Sequence, residues 1–249
     1  YLANAQAGVR TILAQNPAAP RLVGSVSLPG RAQALRVRGE LIFVAAGTGG
    51  LRVISARTPA APVEVGSNVA PADASDLALV GPIAYVADRY AGLRAISIAD
   101  PTRPSLLAGF PVAGPINGLD ATGSLLGLAL GNGGLALFSA DAAGNMRPRG
   151  RVASLGYAWE VALVDADALG GPTVFLADGA AGVRAINIAR PDAPVEWGQL
   201  TLAGEANAVR YQDGRLYATT KEGGLWIIAI VRPQPRAHLP LIWRALGPW

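Results

Sequence analysis

The sequence predicts an all-β fold, a β-propeller of about 42-residue four-stranded blades, six in number, and three observations predict it. A Gly followed by a short apolar run recurs as AGVRTIL, GGLRVIS, AGLRAIS, GGLALFS, AGVRAIN and GGLWIIA. The Gly opening each run is Gly8, Gly50, Gly92, Gly134, Gly182 or Gly224, giving spacings of 42, 42, 42, 48 and 42 residues. Between these runs, apolar strand-like stretches alternate with Pro-rich turns: NPAAP, TPAAP, DPTRP, RPDAP and RPQP.

Residues 73–114 show one blade in order. SDLALVG is a first strand, with Leu77 and Leu79 on one face, closed by Gly81-Pro82. IAYVAD is the second and ends at Asp88. RYAG turns into GLRAISI, where Leu93, Ala95 and Ser97 alternate with Arg94, Ile96 and Ile98. Asp100-Pro101 opens a turn, because Pro fixes its own φ and donates nothing to a ladder. PSLLAGFPV is the fourth, outer strand, where Pro111 is tolerated on an edge. Other repeats superpose on these columns: Tyr85 on Phe43, Phe175 and Tyr217, and Leu77 on Leu35, Leu119, Val161 and Val209. Such columns are apolar because neighbouring blades pack face to face.

The pattern divides residues 1–243, one propeller domain, into a piece at 1–30 and five full blades at 31–72, 73–114, 115–156, 157–203 and 204–243. Residues 244–249 follow as a tail, and AHLPLIW is expected as the last outer strand. Tyr1 to Asn4 aligns with Tyr85 to Asp88, so the piece 1–30 lacks a first strand. An unpaired strand edge recruits another strand, which makes Tyr1, Leu2, Leu246 and Trp249 candidate assembly residues. The chain opens at Tyr1 rather than Met, pointing to an upstream segment removed or left out.

Composition narrows the function. Apolar residues at 51% supply a core and exclude disorder, and no apolar run approaches the roughly 18 residues of a membrane-spanning helix. Zero Cys excludes disulfides and thiol chemistry. The net charge of +4 comes from Arg spread through the repeats, with Lys221 the only Lys, and a nucleic-acid surface would need a denser basic stripe.

The blocks YVADRYAGLRAISIADPTRP and FLADGAAGVRAINIARPDAP resemble the LVIVD repeat, a β-propeller repeat of bacterial and archaeal surface or exported proteins. The resemblance spans nearly the whole chain and is weakest in 115–156, where GLALFS lacks the Arg. It implies a propeller placed outside the cell or at its surface. It brings no shared catalytic residue and no cofactor.

Turns between second and third strands share a propeller face with the crossovers between blades. Here that face is expected to carry Asp88, Arg89, Tyr90, Asp178, Lys221 and Glu222 from the turns. The crossovers add Gln33, Asp73, Asp76, Asn117, Tyr157, Trp159, Glu160, Glu205 and Asn207. Asn117, Trp159, Glu160, Asn207 and Tyr90 are the candidate ligand-binding residues at the tunnel mouth, since an aromatic face stacks on sugar rings. Asp88 and Asp178 each precede an Arg by six residues, a spacing read as turn caps rather than acid/base chemistry.

No metal site is expected. His238 is the only His, and the D-x-D of Asp165 and Asp167 has Leu176 where a calcium loop needs an acid. The sequence therefore points to a non-catalytic interaction or assembly module with a protein partner or self-association. Binding of a surface glycan or small ligand at the rim is the alternative. A hydrolase or lyase with its acids at the tunnel mouth is the third reading.

Overall fold

The repeated Gly has a steric cause. In a computed structural model, which describes residues 1–89, 91–165, 169, 171–231 and 242–248, Gly8, Gly50, Gly92, Gly134 and Gly182 are left-handed, with φ from 73° to 83°. A Cβ at these positions would lie 2.1–2.3 Å from a carbonyl oxygen at the end of the outer strand: that of Val26, Asn68, Phe110, Val152 or Leu200. Both the conformation and the contact demand glycine. The period of the sequence is thus a period of close backbone approaches.

The chain divides into two compact units, Tyr1–Pro115 with Asp141–Asn145, and Ile116–Ala140 with Met146–Trp249. The first holds blade I, β1 (Leu2–Ala3), β2 (Val9–Leu13) and β3 (Arg21–Val26). It also holds blade II, β4 (Ala34–Arg38), β5 (Leu41–Ala45), β6 (Leu51–Ser55) and β7 (Val63–Asn68). Blade III completes it: β8 (Ala74–Val80), β9 (Ile83–Asp88), β10 (Gly92–Ser97) and β11 (Ser105–Phe110).

The second unit starts with blade IV, β12 (Gly118–Thr122), β13 (Leu125–Ala129), β14 (Leu135–Ala140) and β15 (Met146–Val152). Blade V is β16 (Glu160–Val164), β17 (Thr173–Ala177), β18 (Val183–Asn187) and β19 (Val195–Leu200). Blade VI is β20 (Ala206–Gln212), β21 (Arg215–Thr220), β22 (Gly224–Val231) and β23 (Ile242–Pro248). Within each blade the strands pair antiparallel in chain order, and the fold class is the expected six-bladed β-propeller.

Burial follows strand position. β5, β9 and β17 are buried almost throughout, so they read as continuous apolar runs, whereas β7, β11 and β19 stay largely accessible. Neighbouring blades within a unit are clasped by a two-hydrogen-bond bridge between a turn and a residue at, or two before, the start of the next blade's first strand. The bridges join Ala5 to Ala32, Gly47 to Ala74, Gly131 to Ala158 and Gly179 to Ala206, at 2.9–3.1 Å.

Two features depart from the sequence expectation. The last outer strand is β23, with Val231 opposite Ile242 and Trp226 opposite Pro248, so residues 244–248 are strand rather than tail. Pro233, Pro235 and Pro240 lack the N–H that a ladder needs; apart from Ile242 and Trp243, AHLPLIW, His238 included, lies outside the described residues. Second, every pairing of third and fourth strands shifts register, as at Val53/Ile54 and Ala185/Ile186. Beside this bulge the outer strands of blades I, II and IV carry Gly24, Gly66 and Gly150. A Cβ on these would meet the carbonyls of Pro59, Pro101 and Pro191 at 2.2–2.4 Å. The Pro-rich turns therefore brace the preceding blade.

Candidate functional site

Most charged residues singled out by spacing are structural. Asp178 is fully buried at the end of the second strand of blade V. Its carboxylate accepts from the Leu155 N–H at 2.9 Å, from the Ser154 hydroxyl, and from Arg184 Nη1 at 2.9 Å. Arg184 also donates to the Ala153 carbonyl at 2.7 Å and through Nη2 to Glu196 at 2.6 Å. Burial alone would push the Arg184 pKa down; hydrogen bonds to Glu196 and Asp178 outweigh it and raise the pKa above its ordinary value. Asp88 repeats half of this in blade III, accepting from the Ala72 N–H at 3.0 Å and pairing with Arg94 at 3.5 Å. Asp76, also buried, pairs with Arg36 at 3.5 Å. These three carboxylates stitch strands and crossovers together; Asp88 and Asp178 bind backbone N–H and arginine as their spacing suggested, but buried rather than displayed on the face.

The rim that remains is built twice on one plan. In the first unit Arg89, from the turn after β9, pairs with Asp73 at 3.2 Å and donates to Gln33 Oε1 at 3.2 Å. In the second unit Lys221, from the turn after β21, pairs with Glu205 and lies 5.0 Å from the centroid of the Trp159 ring. Backbone bonds match too: Arg89 N to Asp73 O and Lys221 N to Glu205 O are both 3.0 Å. Arg89 and Lys221, like Asp73 and Glu205, are 132 residues apart, the sum of three repeat spacings. That offset was the signal by which Lys221 and Glu205 belonged with the site.

Of the expected ligand-binding residues, Trp159 is half-buried against Tyr157, ring centroids 4.6 Å apart and tilted by 48°. Its indole Nε1 is buried and meets no acceptor among the described residues. The Asn117 amide donates to the Ala158 carbonyl at 2.9 Å, and Asn207 accepts from the Thr219 hydroxyl at 2.6 Å. Glu160 accepts from its neighbour, the Val161 N–H, at 3.3 Å. Tyr90 and Trp249 lie outside the described residues, and of Leu246 only its place in β23 is described. Tyr1 and Leu2 are 45% and 47% exposed, and Leu2 pairs with Arg10.

A cavity of about 500 Å³ opens beside the Arg89 cluster, lined by Ala5, Arg31, Ala32, Gln33, Asp73 and Arg89. Among the described residues no group of three or more His, Cys, Asp or Glu is placed to hold a metal, and no helix is long and apolar enough to cross a membrane.

Two stretches of the chain match a known repeat. Residues 29–69 and 71–110, essentially blades II and III, match the LVIVD repeat. No curated protein matches the chain. Solved structures do: a protein from Lactobacillus plantarum aligns at 15% identity and TM-score 0.75, over 97% of this chain and 78% of its own. A β-propeller domain from Myceliophteria thermophila aligns at 8% identity and TM-score 0.68, over 95% and 74%. A computationally designed protein aligns at 12% identity and TM-score 0.61, over 86% of this chain, which spans only 63% of that longer one. At these identities the likeness concerns the fold. The LVIVD blades II and III supply Gln33, Asp73 and Arg89, so the first copy of the rim is built within the matched repeats.

Proposed function

We propose that this protein is a non-catalytic β-propeller acting outside the cell or at its surface as an interaction module. The observation supporting it most is the cluster of Tyr157, Trp159, Lys221 and Glu205, two aromatic rings beside a paired cation and acid. Rigid aromatics next to charge are the chemistry of interface hot spots. The engagement of Asp88 and Asp178 with backbone and arginine also favours a binding role over proton transfer. The LVIVD repeats support export. Self-association is proposed to run through the accessible strand β1, and sedimentation over a range of concentrations tests it.

The binding test uses the full chain cross-linked to its partner on intact source cells. Trp159→Ala and Lys221→Glu should each lose the cross-link while shifting Tm by no more than a few degrees. Retention of the partner by both variants would move the interface off this rim. Protease treatment of intact cells should release peptides of the chain, and full protection would refute surface exposure.

A glycan-binding reading rests on the Tyr157–Trp159 pair and the unpartnered indole Nε1. Because Lys221 already covers part of the Trp159 ring, a sugar would need to displace it or use the ring edge. A glycan array separates this reading from the first.

A further inference from the structure

Arg31 is held in place from both sides. Gly30 before it is left-handed at φ 82°, and a Cβ there would lie 2.0 Å from the Ala46 carbonyl oxygen. Ala32 after it exchanges two hydrogen bonds with Ala5, at 3.1 and 2.9 Å. The backbone thus fixes where this arginine emerges. Its guanidinium makes no ion pair among the described residues.

Arg31 lines the cavity of about 500 Å³ with Arg89, Gln33 and Asp73, and also lines an adjoining one of about 440 Å³ with Arg10. Arg10 departs from its own repeat. The equivalent Arg52 pairs with Glu64, Arg94 with Asp88, and Arg184 with Asp178 and Glu196. At Arg10 the two acid positions are Asn4 and Leu22, and it makes no ion pair among the described residues. The two cavities therefore gather three guanidinium groups around one carboxylate, Asp73, which Arg89 already matches. Both volumes lie within the roughly 300–1,000 Å³ of small-ligand sites.

We propose that these adjoining cavities bind an acidic sugar, a uronate of one or two residues. Arg31 presents the fork of donors that suits a carboxylate, and Arg10 supplies the second cation for a disaccharide with two acids. Asp73 and Gln33 Oε1 decide between a sugar and a bare anion. They are acceptors, and sugar hydroxyls donate to them where sulfate has no proton to give. This site shares no residue with the Trp159 rim and does not depend on it.

Calorimetry of the 249-residue chain with digalacturonate at low salt tests the proposal. Saturable binding is expected, with the neutral digalactoside at least about tenfold weaker. Arg31→Gln should weaken digalacturonate about ten- to a hundredfold, Arg31→Lys should restore part of it, and Trp159→Ala should leave it unchanged. Arg31 is exposed, so an unchanged melting curve is expected for its variants. Failure of digalacturonate to bind, equal binding of the neutral disaccharide, inorganic sulfate binding as tightly, or indifference to Arg31→Gln would each overturn it.

Discussion

Blades IV and V are consecutive copies of one repeat and solve the same positions in opposite ways. Blade V fills the acid, arginine and outer-strand positions with Asp178, Arg184 and Glu196, a network whose arginine is only 3% exposed. Blade IV fills them with Leu130, Ala136 and Pro148, the first two buried. The aromatic column differs as well. Phe175 of blade V stacks on Tyr211 of blade VI at 5.9 Å. Blade IV has Gly127 there, and the space is taken by Leu163 of blade V, whose Cδ1 lies 2.6 Å from where a Cβ would be. The lesson is that the repeat conserves slots rather than contacts. Charge pairs and apolar packing are interchangeable fillings, as expected when a buried ion pair roughly balances its desolvation.

Breaking the filling of blade V by one member should cost most. Arg184→Met leaves Asp178 buried without its cation, and a loss of about 3–5 kcal/mol is expected in chemical denaturation. The double variant Asp178→Asn with Arg184→Met keeps an acceptor for the Leu155 N–H and removes the orphaned charge. It should be more stable than Arg184→Met alone. If the double loss equals the sum of the single losses, the two residues are uncoupled and the slot argument is wrong.

A smaller effect separates slot from backbone. Gly182→Ala combines φ 78° with a Cβ 2.1 Å from the Leu200 carbonyl oxygen, so the strand must shift. Gly39→Ala has φ 58° but open space around its Cβ. The second should cost about 1 kcal/mol from conformation alone, and the first clearly more, about 2 kcal/mol or above. Equal melting losses would mean that the outer strand yields freely, and that the close approach does not set the repeat.

What could be read beforehand follows the same division. Strand order and apolar columns were legible because each rests on local alternation and a fixed period. The bulge between third and fourth strands was not, and in blades I, II and IV it sits where Gly24, Gly66 and Gly150 meet a Pro carbonyl some 35–41 residues on, beyond any local window. The roles of Asp88 and Asp178 as anchors were legible from spacing, but their burial was not, since it requires the crossovers at Ala72 and Leu155 to fold over them. At the rim, Trp159 was visible as a lone aromatic, whereas its engagement by Lys221 joins two blades that no local window contains.

The smallest expected effect concerns an imperfectly filled slot. Tyr85 occupies in blade III the column that Phe43 and Phe175 occupy elsewhere, is fully buried, and its hydroxyl has no partner among the described residues. Burial, and then the negative field of Asp141, push its pKa from 10.0 up to about 12. The folded state therefore favours the neutral phenol more than the unfolded chain does. That contribution is fully present below pH 10 and is lost as pH rises from 10 through 12. Tyr85→Phe removes both the unpaired hydroxyl and the titration. It should gain about 1 kcal/mol at pH 7, and its advantage over the parent should widen between pH 10 and 12. Urea denaturation of both proteins at pH 7 and pH 11 measures this directly. A constant difference across that range would mean that Tyr85 ionises as readily inside the blade as in the unfolded chain.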